Sequence, residues 1–132
     1  HHVHPTAARL AIAAKPRGKM LIVTDAMSPV GTTDTEFDFF DGKVTRDGNK
    51  LTAETGQLAG SVLDMAGAVQ YAIGELDVTE GEALRMASLY PAQFLGIDAE
   101  RGQIRVGAIA DLVLLDEQGQ VVQCLIAGQP TI

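Results

Sequence analysis

Apolar positions along the chain follow two spacings, one helical and one typical of strands. The helical spacing predicts helices over residues 5–14, 62–76 and 80–94. Pro5 stands in the first turn of the first helix, and Thr79 with Glu82 forms a capping-box pattern at the start of the third. The third helix carries a stripe through Met86 that predicts core packing, and we expect Pro91-Ala92 to kink or restart it before Gly96 ends it.

Residues 20–26 are predicted to form the strand around which the rest of the chain is arranged. Four consecutive apolar residues follow a turn and lead into Asp25, which predicts a strand buried on both faces. Asp25 then lies at its carboxyl end, where parallel α/β folds gather the loops that carry chemistry. Position alone leaves two interpretations open, because Asp25 either acts chemically or caps a turn that Gly31 closes.

The segments after this strand are short and are separated by turn residues. Asp41-Gly42 and Asp47-Gly48 lie between alternating segments, so we expect an antiparallel hairpin excursion over about residues 36–52. Residues 56–61 are small and read as a corner that leads into the second helix. Three further strands are predicted at residues 102–107, 110–116 and 121–126, forming a second small sheet.

All three histidines lie within the first four residues, at His1, His2 and His4. Two interpretations are open. The run is either the remnant of an affinity tag or the end of a strand whose imidazoles face a site. In the second case, the helix at 5–14 and the strand at 20–26 form half of a βα unit, which places the histidines and Asp25 at one edge of a sheet.

Composition narrows the class of protein. The 132 residues are 46% hydrophobic and 20% charged, which is ordinary for one globular domain. The net charge of −7 argues against nucleic acid or an anionic membrane as partner, and a cytoplasmic protein that binds small molecules fits better. Cys124 is the single cysteine and is predicted to be a buried strand thiol. There is no signal-peptide pattern and no apolar stretch of about 18 residues.

Five motifs together carry a family resemblance. The tail reads Gly102-x-Ile104-x-x-Gly107-x-x-Ala110-Asp111-Leu112-Val113-x-Leu115-Asp116, then Val122-x-x-x-Ile126-x-Gly128, and it resembles the carboxyl-terminal part of the metal-dependent amidohydrolase superfamily. The other four resemble the N-acetylglucosamine-6-phosphate deacetylase family within it: His2-Val3, Val23-Thr24-Asp25-Ala26, Leu58-Ala59-Gly60-Ser61 and Leu84-Arg85-Met86-Ala87-Ser88-x-Tyr90-Pro91-Ala92.

The resemblance implies an α/β fold with two parts. Residues 1–96 are expected to be the carboxyl-terminal part of a (β/α)₈ TIM-type barrel, including the hairpin excursion at about 36–52. Residues 97–132 are expected to supply the carboxyl-terminal strands of a small β-sandwich. Family members are commonly homodimers, so a homodimer is expected for the full-length parent.

The resemblance also implies an activity and its residues. The parent would be a metal-dependent hydrolase that converts N-acetylglucosamine 6-phosphate to glucosamine 6-phosphate and acetate. Asp25 matches the catalytic aspartate, His2 a histidine that contacts the sugar phosphate, and Leu58, Ala59 and Gly60 the substrate-binding loop. His1 is a weaker candidate beside His2, and the resemblance gives His4 no role.

The divalent metal of the family, zinc or a similar ion, is held by a glutamate and two histidines on earlier strands. We therefore expect no metal ligand in this chain and no catalytic activity from it in isolation. Two alternatives stay open: a non-catalytic module for sugar-phosphate binding or assembly, and another amidohydrolase such as a dihydroorotase or an adenine deaminase. The Leu58–Ser61 motif favours the deacetylase.

Overall fold

The computed structural model describes residues 3–39 and 42–131, which form four helices and seven strands. This mixture of helices and sheets confirms the predicted α/β class. The helices are α1 (Pro5–Ala14), α2 (Met65–Glu75), α3 (Glu80–Ala87) and α4 (Leu89–Leu95). The strands are β1 (Glu36–Phe39), β2 (Gly42–Asp47), β3 (Lys50–Ala53), β4 (Leu58–Ser61), β5 (Leu112–Leu115), β6 (Val121–Ile126) and β7 (Gln129–Thr131).

Helix α1 has the bounds that the sequence predicts. Pro5 occupies its first turn, where a missing N–H costs nothing, and the chain leaves the helix at Lys15. Nδ1 of His4 accepts a hydrogen bond from the Thr6 N–H at 3.2 Å. His4, to which the resemblance gives no role, therefore caps this helix.

Residues 20–25 do not form the predicted paired strand, and that prediction is wrong for the described part of the chain. A ladder needs neighbouring strands, and here the segment has one isolated parallel bridge, between Ala26 and Ser61. Its Ile22 N–H donates to the Met86 carbonyl of α3 at 3.0 Å. Val23 is 79% exposed, so the segment is covered on one side by the helices and open on the other.

The helices pack into one core with the start of this segment. Buried side chains of α2, α3 and α4, with Val78 between α2 and α3, form its centre, and Met20, Leu21 and Ile22 pack against them. Met86 is 4% exposed, which confirms its predicted role in the core. The buried members are Val69, Ala72, Val78, Ala83, Met86 and Tyr90.

The predicted third helix is two helices that meet at Ser88. Ser88 leaves helical geometry with φ −134° and ψ −69°, and α4 begins at Leu89. The helix therefore restarts just before Pro91, as one of the two expected outcomes. Pro91 then lies in the first turn of α4, where its ring meets no preceding helical turn. Gly96, in the left-handed region at φ 72°, ends α4 as predicted.

The capping box at the start of α3 does not form. The Thr79 side chain makes no capping hydrogen bond. The Glu82 carboxylate instead accepts hydrogen bonds from Arg17 Nε at 3.0 Å, Arg85 Nη2 at 2.8 Å and Tyr90 Oη at 2.9 Å. Ionic donors outcompete a neutral backbone N–H for a carboxylate, so the box gives way to a network between α3, α4 and the loop before residue 20.

The predicted hairpin excursion is confirmed as a four-stranded antiparallel sheet in the order β1-β2-β3-β4. Its core is Val44, Leu51 and Val62. Residues 58–61 of the predicted corner form strand β4, and α2 begins at Met65 rather than at residue 62. The Asp64 carboxylate caps α2 by accepting from the Gly67 N–H at 2.6 Å.

The second sheet has the order β5-β6-β7. Residues 102–107 are not one of its strands, and the third strand is β7. Gly102, at φ +87°, lies so close to α4 that an added Cβ would stand 2.6 Å from the Ala92 Cβ, so this turn packs on the helix instead of joining the sheet. Cys124 lies in β6 as predicted but is only half-buried. In the described residues, no helix is long and apolar enough to cross a membrane.

We expect Glu82→Gln to destabilise the protein by about 2 kcal/mol, the scale of hydrogen bonds to a charged group, in urea unfolding at pH 7. Burial raises the pKa of Glu82, but the hydrogen bonds from Arg85, Tyr90 and Arg17 outweigh it, so the net pKa is below the ordinary 4.5. The stabilisation is therefore complete above pH 4.5 and is lost as the pH falls through the lower folded-state pKa.

The matched control is Glu80→Gln, on the same helix at an exposed position. It should leave the free energy of unfolding within about 0.5 kcal/mol of the wild type. Equal losses in the two variants, or a Glu82 effect that grows toward acid pH, would contradict the role given to the network.

Candidate functional site

Asp25 stands at the end of the segment that α3 and α4 cover, with an exposed side chain. Its backbone is in the left-handed region at φ 51°, which a residue other than glycine rarely adopts. Its carbonyl accepts a hydrogen bond from the Ser61 N–H at 3.0 Å. The chain therefore turns at Asp25 and leaves the carboxylate facing solvent.

Strand β4 delivers Ser61 to the same place. Its Oγ donates to the Thr24 carbonyl at 2.6 Å, and its own carbonyl accepts from the Met27 N–H at 2.8 Å. Ser61 closes the Leu58–Ser61 motif, but sequence reasoning assigned it no role. Ser61 could have been identified from the sequence, because its hydroxyl directly follows the three candidate site residues of this motif.

Gly60 makes the close approach between β4 and the Asp25 turn possible. At φ +85° it adopts a conformation suited to glycine, and an added Cβ would lie 2.5 Å from Cγ of Met27 and 3.1 Å from the Asp25 carbonyl. The fold thus brings Gly60 and Asp25 together, as sequence reasoning placed them in one site.

Leu58 and Ala59 precede Gly60 on the same strand. Leu58 is 44% exposed, while Ala59 is half-buried against the cluster of Val44, Leu51 and Val62. The three residues of the expected substrate-binding loop therefore form a paired edge of a sheet with one anchored and one exposed side chain.

His1 and His2 lie outside the described residues, so the predicted contact of His2 with a sugar phosphate stays a prediction. A metal site is not formed by the described residues alone: across 3–39 and 42–131, no three His, Cys, Asp or Glu side chains are grouped to hold an ion. Asp25 offers a single carboxylate, which does not fit a complete divalent site.

A cavity of about 540 Å³ lies at the opposite end of the segment from Asp25. Its lining includes Lys15, Gly18, Lys19, Leu21, Tyr90 and Phe94. It contains neither Asp25 nor a residue of β4, the two parts of the chain that the hydrogen bonds of Ser61 bring together. We therefore assign the candidate site to Asp25 and β4 rather than to this cavity.

Gly60→Ala should lower the free energy of unfolding by about 1–3 kcal/mol more than Gly56→Ala, measured by urea unfolding. Both glycines have nearly the same positive φ, +85° and +82°, so both variants carry similar backbone strain. Only at position 60 would the methyl group meet Met27 and Asp25, since Gly56 has nothing within 4 Å. Equal losses would show that β4 and the Asp25 turn are less closely packed than described.

Several known proteins match this chain over nearly its whole length. An N-acetylgalactosamine-6-phosphate deacetylase of Shewanella sp. (strain ANA-3) is 48% identical over 128 residues, which is 97% of this chain and 32% of that protein. A putative N-acetylgalactosamine-6-phosphate deacetylase of Escherichia coli (strain K12) is 36% identical, over 98% of this chain and 77% of that protein.

Among solved structures, N-acetylglucosamine-6-phosphate deacetylase from Pasteurella multocida matches with a TM-score of 0.93 and 32% identity. The match covers 98% of this chain and 34% of that one. The chain therefore spans about a third of the length of the Shewanella and Pasteurella proteins. The model of the Amidohydrolase family matches residues 2–131, nearly the whole sequence. On this match and these relatives, the chain belongs to the amidohydrolase family.

Proposed function

We propose that this chain supplies the proton-transfer carboxylate and part of the substrate-binding surface of a hydrolase that deacetylates an N-acetylhexosamine 6-phosphate. One observation carries the proposal. The two central motifs, one ending at Asp25 and Ala26 and the other running over Leu58–Ser61, meet in space through the hydrogen bonds of Ser61. Both motifs resemble those of deacetylases, and the relatives described above bear that name.

Asp25 fits the proton transfers that amide hydrolysis requires. A water molecule must lose a proton to attack the acetyl carbonyl, and the departing amine must gain one. A single exposed carboxylate performs both transfers when it is held beside the scissile bond. Leu58, Ala59 and Gly60 are proposed to border the sugar, and His2 to contact its phosphate.

The family resemblance includes a divalent metal such as zinc, which no group of described residues can hold by itself. We propose that its ligands lie in the longer protein, outside these 132 residues, and that the chain alone does not turn over substrate. The dihydroorotase and adenine deaminase alternatives find no support in the relatives described, which are named as deacetylases of amino-sugar phosphates.

The substrate has two candidates, which are epimers at one hydroxyl of the sugar. N-acetylglucosamine 6-phosphate follows from the motifs and from the Pasteurella structure. N-acetylgalactosamine 6-phosphate is the second candidate, since the relative with 48% identity is named for it. Phosphate and acetamido groups are common to both, so the chemistry assigned to Asp25 is the same.

We propose the finer architecture on the same grounds. Residues 1–96 would be the last part of a (β/α)₈ barrel, and residues 97–132 would contribute strands to a β-sandwich. The exposed apolar side chains Val113, Val122 and Ile126 of the second sheet support a covering layer in the longer protein. A cytoplasmic homodimer without nucleic-acid or membrane partners is the assembly that the acidic composition and the family favour.

In a full-length protein that contains this chain, Asp25→Asn should lower kcat about 10³-fold and leave KM within about three-fold. The amide keeps the shape of the side chain but takes no proton at neutral pH. The assay is release of acetate from N-acetylglucosamine 6-phosphate. Asp77→Asn is the control, because Asp77 is also exposed and also left-handed, at φ 58°. Retention of most activity by Asp25→Asn would remove Asp25 from the mechanism.

The same assay distinguishes the substrates. We expect the full-length protein to release acetate from at least one of the two N-acetylhexosamine 6-phosphates, with kcat/KM at least ~10-fold above that for the unphosphorylated sugar. A higher kcat/KM for N-acetylglucosamine 6-phosphate supports the first candidate. A higher kcat/KM for N-acetylgalactosamine 6-phosphate supports the second. No acetate from either would overturn the proposed function and favour a non-catalytic binding or assembly module.

A further inference from the structure

The backbone around Asp25 depends on one residue of another element. From Val23 to Ala26, each hydrogen bond that the structure gives the described chain goes to Ser61. Oγ of Ser61 binds the carbonyl before Asp25, and its N–H binds the carbonyl of Asp25 itself. Its carbonyl then binds the N–H of Met27, beyond the turn. The left-handed residue is therefore held on both sides.

Ser61 is itself firmly anchored. It pairs with Lys50 of β3 and directly precedes Val62, which is 7% exposed in the core of the first sheet. Its Oγ also accepts from the Leu63 N–H at 3.2 Å. One hydroxyl therefore donates to the segment that carries Asp25 and accepts from the chain that leads into α2, using both hydrogen-bonding capacities of a serine.

We propose, on the basis of the function proposed above, that Ser61 is a positioning residue that holds the Asp25 carboxylate in its productive direction. A residue in the left-handed region relaxes when its neighbours are released, because that region is disfavoured for side chains with a Cβ. Without the Ser61 hydroxyl, the Thr24 carbonyl and the Leu63 N–H lose their partner. The turn at Asp25 then samples other directions, and the carboxylate is less often placed for proton transfer.

The experiment compares four variants in the full-length protein that contains this chain. Ser61→Ala should lower kcat about 10-fold with KM within about two-fold, since it displaces a reacting group and leaves substrate contacts in place. Ser61→Thr keeps the hydroxyl and should recover most of the rate. Ser61→Cys, nearly isosteric but a weak hydrogen-bonding group, should lower kcat while folding, and so replaces the alanine variant if that variant does not fold.

The matched control is Ser88→Ala. The Ser88 hydroxyl donates to the Leu84 carbonyl at 2.6 Å, the same bond and the same length as the bond from Ser61 to Thr24, but in the helices away from Asp25. It should keep the wild-type kcat. An equal fall of kcat in Ser88→Ala and Ser61→Ala would overturn the positioning role, because general loss of structure would then explain both.

Amide hydrogen exchange of the same proteins gives a second readout that needs no substrate. Ser61→Ala should accelerate exchange of the Met27 and Leu63 amides about 10-fold or more, and Ser88→Ala should not. Unchanged exchange, or a wild-type kcat in Ser61→Ala and Ser61→Cys, overturns the proposal. Absence of acetate release by the wild type overturns the proposed function instead, and exchange alone then decides whether Ser61 holds the turn.

Discussion

The hydrogen bonds between Ser61 and residues 24–27 are the interaction on which the candidate site depends. They join two parts of the chain that are distant in sequence, the segment of residues 20–27 after α1 and strand β4 of the four-stranded sheet. Because Asp25 adopts a left-handed backbone, its direction is not maintained by regular secondary structure and must come from outside the segment. The sheet supplies this support, since β4 ends beside Asp25 and Gly60 allows the two backbones to meet.

The beginning of the same segment is held by a different unit. Arg17 reaches the Glu82 carboxylate of α3, which also binds Arg85 and Tyr90. Gly18 lies against the Tyr90 ring, and the Ile22 N–H donates to the Met86 carbonyl. The helices thus hold the start of the segment, up to Ile22, and the sheet holds its end, from Thr24 to Met27. Asp25 lies in the part that the sheet holds. This arrangement combines a rigid support with a solvent-facing carboxylate, which suits the proton transfer proposed for Asp25.

The chain belongs to the amidohydrolase family but spans only part of the length of the relatives described. About a third of a Shewanella deacetylase is represented, and within the described residues no metal site is complete. This chain carries the Asp25 carboxylate and the β4 surface, and the metal ligands are proposed to lie in the longer protein. The hydrogen bonds that support Asp25 nevertheless lie within the described residues.

Local pattern in the sequence determined the elements whose causes are local. Helix α1, the β2–β3 hairpin and the end of α4 at Gly96 follow from Pro5, the positive φ of Gly48 and a glycine cap, each of which acts within a few residues. Asp25, Leu58, Ala59 and Gly60 were chosen from motifs. Only the tertiary structure decided that 20–25 is unpaired here, that Glu82 abandons its capping box for Arg17, and that Ser61 binds both sides of Asp25. The bond from Ser61 to Thr24 and the bond from Arg17 to Glu82 join residues 37 and 65 positions apart, which no local spacing can reveal.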